Sequence, residues 1–110
     1  MDVIKSSTDI SRLFNDGRRI FTPHMTLIVL ENRDRAQSGG RVAFIAGKKL
    51  GNAVWRNAAK RRLRAICREA DGPWTGYDVV MMAKASLLSK PYQDVLKATE
   101  SALRQGGLRE

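Results

Sequence analysis

The segment 48–68 constrains the fold of this 110-residue chain more than any other part of the sequence. It contains eight basic residues and no acidic residue, and residues 53–69 include neither glycine nor proline. Alanine, arginine, lysine and leucine dominate these positions, which favours a helix. Asn52 is a good N-cap, and the "DGP" at 71–73 ends the pattern. The segment therefore predicts one long helix.

A helix turns by about 100° per residue, so this segment has two neighbouring faces. The basic face is made of Arg56, Asn57, Lys60, Arg61, Arg64 and Arg68. The apolar face is made of Trp55, Ala59, Leu63, Ile66 and Cys67. The apolar face predicts packing on a sheet. Arg62 lies on the far flank of that face, and we expect it to extend into solvent.

The positive charge of the chain is local. The sequence has 20 basic and 11 acidic residues, a net charge of +9, and the eight bases of 48–68 account for nearly all of this excess. Like charges four residues apart on a helix repel by a few tenths of a kcal/mol per pair. Such a patch predicts a polyanionic partner. A membrane surface is a poor match, because the apolar residues of the helix are needed by the core.

The rest of the sequence predicts a single α+β domain over 1–110 with helices and a sheet in two layers. We expect helices over 6–17 and from Pro91 to Gly106, and strands over 25–31, 41–47 and 77–84, with a short edge strand over 18–21. The segment 25–47 reads as an antiparallel pair, and "NRDRAQSGG" between its strands reads as a turn or loop.

The sequence contains no motif typical of a protein active site. The 11 acidic residues are scattered, so we predict no catalytic and no metal-ligating residue. His24 is the only histidine and is expected to be incidental, and Cys67, the only cysteine, is expected to be a buried thiol. No signal peptide or apolar run of spanning length is present, which predicts a cytoplasmic protein with no membrane partner.

The stretch "KKLGNAVWRNAAKRRLR" (48–64) closely resembles the signature of the protein component of bacterial ribonuclease P, K-K-x-G-x-A-V-x-R-N-x-x-K-R-x-x-R. The ten matching positions are Lys48, Lys49, Gly51, Ala53, Val54, Arg56, Asn57, Lys60, Arg61 and Arg64. "ISRLFNDG", "RVAFIAGKK" and "YDVVMMAK" also resemble the first helix and two strands of the family, so the resemblance extends over most of the chain.

The resemblance implies an α-β-β-β-α-β-α sandwich with a four-stranded sheet and an unusual left-handed crossover that carries the basic helix. It also implies a ribonucleoprotein that removes the 5′ leader of precursor tRNA, with catalysis in the RNA subunit. The protein then needs no cofactor of its own, because Mg²⁺ is held mainly by RNA. One protein is expected per catalytic RNA, bound through Lys48, Lys49, Arg56, Asn57, Lys60, Arg61, Arg64 and Arg68.

The family grips the single-stranded leader in a cleft between its first helix and the sheet. By position, the residues that would line this cleft are Ile10, Phe14 and Ile28. Only Phe14 is aromatic, so stacking on bases should be weaker than in relatives with more aromatic clefts. Simple core packing is an equally good interpretation of these three residues.

Two further functions are compatible with the residues alone. One is a structural RNA-binding protein of ribosomal type that has no role in processing. The other is a basic helix that recruits an acidic protein, and binding that survives nuclease treatment would favour it. Restored cleavage of precursor tRNA at low Mg²⁺ would distinguish ribonuclease P from both.

Overall fold

The computed structural model describes residues 1–32 and 39–109, and most of the predicted "NRDRAQSGG" loop lies outside the described residues. The described part has three α-helices and four strands. In chain order they are α1 (Ser7–Asp16), β1 (Arg18–Phe21), β2 (Met25–Glu31), β3 (Arg41–Ile45), α2 (Ala53–Glu69), β4 (Tyr77–Ala83) and α3 (Tyr92–Gln105). This is the predicted order α-β-β-β-α-β-α, and the α+β class is confirmed.

The helices begin where the sequence provides caps. The Ser6 hydroxyl accepts a hydrogen bond from the Asp9 backbone N–H at 3.3 Å, which caps α1. The Asn52 side chain accepts one from the Trp55 N–H at 2.9 Å, which caps α2 as predicted. Pro91 precedes α3, where its missing N–H leaves no backbone donor unsatisfied. Local sequence therefore determines where each helix starts.

The sheet has the strand order β1-β2-β4-β3. β2 pairs with β1 and β4 in antiparallel orientation, whereas β3 pairs with β4 in parallel orientation. The prediction that 25–47 forms an antiparallel pair is therefore wrong, because β4 lies between β2 and β3. The run "VVMM" in β4 explains this order. Apolar side chains on both faces of a strand are best buried at the centre of a sheet.

Helices pack on both faces of the sheet. α2 and α3 cover one face and form the larger core with alternate residues of the strands, including Leu27, Val42 and Met81. α1 covers part of the other face through Leu13, which packs on a smaller cluster. The predicted two layers thus describe the sheet with α2 and α3, and α1 adds a partial third layer. The left-handed hand of the β3–α2–β4 crossover stays a prediction.

A partly buried cluster of ionic contacts fixes α1 to the sheet. The Arg41 guanidinium donates to both carboxylate oxygens of Asp78, at 3.0 and 2.6 Å, and to Asp9 of α1 at 3.2 Å. The hydrogen bonds to Asp78 outweigh the desolvation of the guanidinium and raise the pKa of Arg41. Arg41 therefore stays charged at any physiological pH and orients α1 over one end of the sheet.

Candidate nucleic-acid interface

The entry to α2 is a compact basic turn. Lys48 and Lys49 are exposed on a short 3-10 helix, Lys48–Leu50, that links β3 to the Asn52 cap. Gly51 follows, and a Cβ atom at this position would lie 2.9 Å from the Trp55 Cβ. Only a residue without a side chain fits there without displacing Trp55. The glycine of the motif therefore allows the lysine-bearing turn to pack closely against the first turn of α2.

The two predicted faces of α2 are confirmed by burial. Ala59, Leu63, Ile66 and Cys67 are fully buried against the sheet, and Trp55 packs at the edge of the same core. We call the opposite side chains the basic strip: Arg56, Asn57, Lys60, Arg61, Arg64 and Arg68. All of them are exposed except Arg56, which is half-buried. The core thus holds the helix so that the strip faces solvent.

The bases of the strip have no acidic partners in the described part of the chain. The described salt bridges of basic side chains involve Arg41 and Arg109, which pair with Asp9, Asp78, Asp71 and Glu100. Asn57, Lys60, Arg61 and Arg64 together line a shallow depression of about 340 Å³. Three cationic groups and one amide therefore converge on a space that suits phosphate oxygens, with the amide able to contact a base edge or 2′-hydroxyl.

Two arginines of α2, Arg64 in the strip and Arg62 outside it, make contacts within the protein. The Arg64 guanidinium carbon lies 5.3 Å from the centroid of the Phe44 ring on β3, a cation–π contact that limits its rotation. Arg62 donates to the backbone oxygens of Leu87 and Lys90 at 3.0 and 2.8 Å. The expectation that Arg62 extends into solvent is therefore wrong. It ties α2 to the segment before α3 because two unpaired carbonyls lie within its reach.

The register of the sheet places the predicted cleft residues at different depths. Ile28 is 0% exposed beneath α1, so it has no surface to offer a ligand. Its burial favours the alternative of core packing for Ile28, in one cluster with Leu13, over a place in the lining of a cleft. Ile10 and Phe14 are half-buried on α1 at the border of the same cluster. Only these two of the three predicted residues present surface beside the sheet.

One row of side chains on the α1 face was missed by the sequence analysis. Paired positions on neighbouring strands place Phe21, Thr26, Met82 and Ile45 side by side across all four strands. We call these four residues the outer row. In the next row, Ile28, Val80 and Ala43 are buried and Arg19 is exposed. In the outer row, Thr26 is buried, Met82 and Ile45 are half-buried and Phe21 is exposed. Alternation along each strand was visible in sequence, but this alignment depends on the register between strands.

Two further observations concern the chemistry that the protein's own side chains offer. Burial raises the pKa of the Cys67 thiol from 9.0 to about 11, which keeps it protonated and unreactive at neutral pH. In residues 1–32 and 39–109, no three His, Cys, Asp or Glu side chains come close enough to hold a metal ion.

No helix in the same ranges combines the length and apolar character needed to cross a membrane.

Comparison with known proteins decides the family. The family model described as Ribonuclease P matches residues 2–106. The chain belongs to the ribonuclease P protein family. The ribonuclease P protein component of Streptococcus mutans is 34% identical to it, over 97% of this chain and 92% of the relative. The matched range includes the basic strip and the turn before it.

Solved structures of this family share the fold. The ribonuclease P protein of Staphylococcus aureus superposes with a TM-score of 0.84 at 21% identity, covering 100% of this chain and 99% of that one. A mutant of the S. aureus protein, described as defective in mRNA degradation activity, superposes with a TM-score of 0.82 at 22% identity, covering 96% and 87%. The four-stranded sheet with three helices is thus the family fold.

Proposed function

We propose that this chain is the protein subunit of a ribonuclease P ribonucleoprotein and binds its catalytic RNA through the basic strip. The observation that carries the proposal is the unneutralised charge of the strip on a helix fixed by the core. Elsewhere in the described chain, basic side chains do pair with acidic ones, as Arg109 does with Glu100 at 2.7 Å. A row of phosphates would supply the missing balance and relieve the repulsion between neighbouring bases of the strip.

Catalysis in this proposal belongs to the RNA. The described acidic side chains form no cluster that would fit Mg²⁺, so we assign the metal to RNA ligands and derive no chemical step from this chain. The protein contributes affinity and position: arginine side chains bind phosphates through paired N–H groups and hold the RNA in register. Its expected effect is a lower Mg²⁺ requirement, because cationic side chains replace part of the metal's role in screening RNA charge.

The same proposal assigns the 5′ leader of precursor tRNA to the α1 face of the sheet. Phe14 and Ile10 present half-buried apolar surface there, and the outer row continues this surface beside α1. Single-stranded nucleic acid binds surfaces that combine apolar or aromatic platforms with nearby cations. Lys48 and Lys49 follow β3, whose Ile45 belongs to the outer row, so positive charge lies at one end of this surface.

The experiment is reconstitution at low Mg²⁺. The purified protein is added to a ribonuclease P RNA and a labelled precursor tRNA at an Mg²⁺ concentration where the RNA alone is nearly inactive. We expect cleavage at the mature 5′ end to be restored. A variant with Lys60, Arg61 and Arg64 changed to glutamine should restore little, since it lacks charge at the centre of the strip. Unchanged activity of the RNA on adding the wild-type protein would contradict the proposal and favour a structural RNA-binding role.

A second candidate activity is suggested by the description of the S. aureus mutant, which links that protein to mRNA degradation. We therefore include an arm with the protein alone. After treatment with micrococcal nuclease and its inactivation, the protein is incubated with precursor tRNA, an mRNA and Mg²⁺. Our proposal predicts no cleavage of either RNA in this arm. Cleavage that persists after nuclease treatment would show that the protein itself carries a nuclease site.

A further inference from the structure

Phe21 is the most exposed aromatic side chain that the structure describes on the sheet. Phe21 lies on the outer strand β1 and is 68% exposed. Large apolar side chains with this much exposure are few in the described ranges; the others are Met1 and Val54. The β1 side chain that packs on the larger core is Ile20, which lies on the opposite face of the strand. Core packing therefore does not account for Phe21. A single exposed ring is common on protein surfaces, so a binding role for Phe21 depends on the groups around it.

The backbone around Phe21 is rigidly held. The hydroxyl of Thr22 donates to the Met25 carbonyl at 2.9 Å and accepts from the His24 and Met25 N–H groups at 3.1 and 3.0 Å. These bonds close the turn between β1 and β2. The Lys84 N–H donates to the His24 carbonyl at 3.0 Å, which joins this turn to the end of β4. The backbone that carries the Phe21 ring is therefore held in place by hydrogen bonds.

A cation is fixed beside the ring. The Lys84 ammonium donates to the Thr22 carbonyl at 2.6 Å and lies 5.6 Å from the centroid of the Phe21 ring. Arg19 is exposed two residues earlier on the same face of β1. Because the ammonium lies over one face of the ring, a base could stack on the other face, with Lys84 and Arg19 near enough in the sheet to contact its phosphates. Neither cation forms a salt bridge with a described carboxylate.

The position of Phe21 relates it to the proposed leader surface. It is the last member of the outer row, at the edge of the sheet opposite β3. Neighbouring strands lie about 4.8 Å apart, so the row spans about 14 Å from β3 to β1. Lys48 and Lys49 follow Ile45 closely in the chain, so they lie near the β3 end of the row. The Lys84 ammonium lies at the β1 end, where it contacts the Thr22 carbonyl and the Phe21 ring. Three members of the row are apolar and the fourth, Thr26, is buried. Positive charge near both ends of such a row favours an extended polyanion that crosses all four strands.

We propose that Phe21 is a stacking platform for a base of the single-stranded 5′ leader, at the end of the outer row farthest from Lys48 and Lys49. The inference rests on the proposed function, since it identifies a further contact for the same substrate. It assigns leader recognition in this chain to an aromatic residue on β1, in addition to Phe14 on α1. Since this contact lies at the sheet edge, it is available only to leaders long enough to cross the sheet.

The test compares leaders of increasing length. Affinity of the reconstituted holoenzyme is measured for mature tRNA and for precursors whose leaders grow by single nucleotides. For the wild type we expect an added gain of at least about fivefold once the leader reaches the β1 edge, which corresponds to one stacked base. Phe21→Leu keeps an apolar side chain but removes the aromatic face, and should abolish this gain. Phe21→Trp keeps the aromatic face and should retain it.

Each outcome has a distinct meaning. The stacking role of Phe21 is overturned if Phe21→Leu and Phe21→Ala keep the gain in affinity with long leaders. It is also overturned if these variants weaken the binding of mature tRNA and of precursors equally. In both cases leader binding by the wild type still stands. If the wild type binds precursors of every length no better than mature tRNA, leader recognition itself fails and the proposed function fails in that part. Melting curves and affinity for the catalytic RNA should match the wild type in all Phe21 variants, because the ring is exposed.

Discussion

Replacing Arg64 with alanine tests whether the basic strip meets RNA phosphates. Arg64 is exposed, it forms no salt bridge with a described acidic side chain, and its contact within the fold is the Phe44 ring at 5.3 Å. An exposed cation–π contact is worth about 0.5–1 kcal/mol. Its loss should lower the melting temperature of a domain of this size by only a few degrees. The variant therefore removes one charge from a fold that remains intact.

The magnitude follows from counterion release. Each phosphate that a base neutralises contributes roughly 0.7 to 0.9 to the slope of log K against log salt, with a negative sign. Contacts from Arg56, Lys60, Arg61, Arg64 and Arg68 would give the wild type a slope of roughly −3.5 to −4.5. Arg64→Ala should flatten this slope by about 0.7 to 0.9 and weaken binding at low salt more than at high salt.

The assay is equilibrium binding to a ribonuclease P RNA over a series of salt concentrations. Lys97→Ala is the matched control, because Lys97 is exposed on α3 and its loss changes the net charge by the same amount. We expect the control to keep the wild-type slope. A wild-type slope near zero would refute an electrostatic interface. Equal flattening by both variants would show that the total charge of the protein matters and the strip does not.

Two other predictions concern buried and half-buried side chains. Phe14→Ala should weaken binding of leader-bearing precursor by about 1–3 kcal/mol relative to mature tRNA, with a small change in melting temperature. A large drop in melting temperature, with an equal loss of affinity for both RNAs, would place the ring in the core. Burial raises the pKa of Cys67 from 9.0 to about 11, so the stability that this thiol contributes is complete below pH 9 and is lost as the pH rises towards 11. The melting temperature of wild type relative to Cys67→Ala should therefore fall across this window, and a constant difference between the two proteins would contradict this.

The sequence was most informative about α2. Its limits, its Asn52 cap and the division between apolar and basic faces depend on neighbours within a few turns, so period and propensity suffice to predict them. The same holds for Ser6 at α1 and for the start of α3 after Pro91. The proposal that the strip binds RNA also came from local residues, since the ten matching positions fall within one short segment.

Features that depend on distant residues could not be predicted in this way. Sequence proximity favoured pairing of β2 with β3, whereas burial of both faces of β4 placed that strand between them. Arg41 was not singled out, because its partners Asp78 and Asp9 lie 37 and 32 residues away. Arg62 was misplaced for a related reason: the carbonyls that hold it belong to a segment after β4.

The two candidate surfaces lie on opposite faces of one sheet. The basic strip is carried by α2, which packs on the larger core, whereas the outer row lies on the α1 face beside the smaller cluster. Lys48 and Lys49 belong to the turn that leads along the chain from β3, which contributes Ile45 to the outer row, to α2, which carries the strip. A domain built in this way can hold one RNA on each face. Substitutions in the strip should therefore change affinity for the catalytic RNA, those in the outer row should change affinity for the leader, and those at Lys48 and Lys49 should change both.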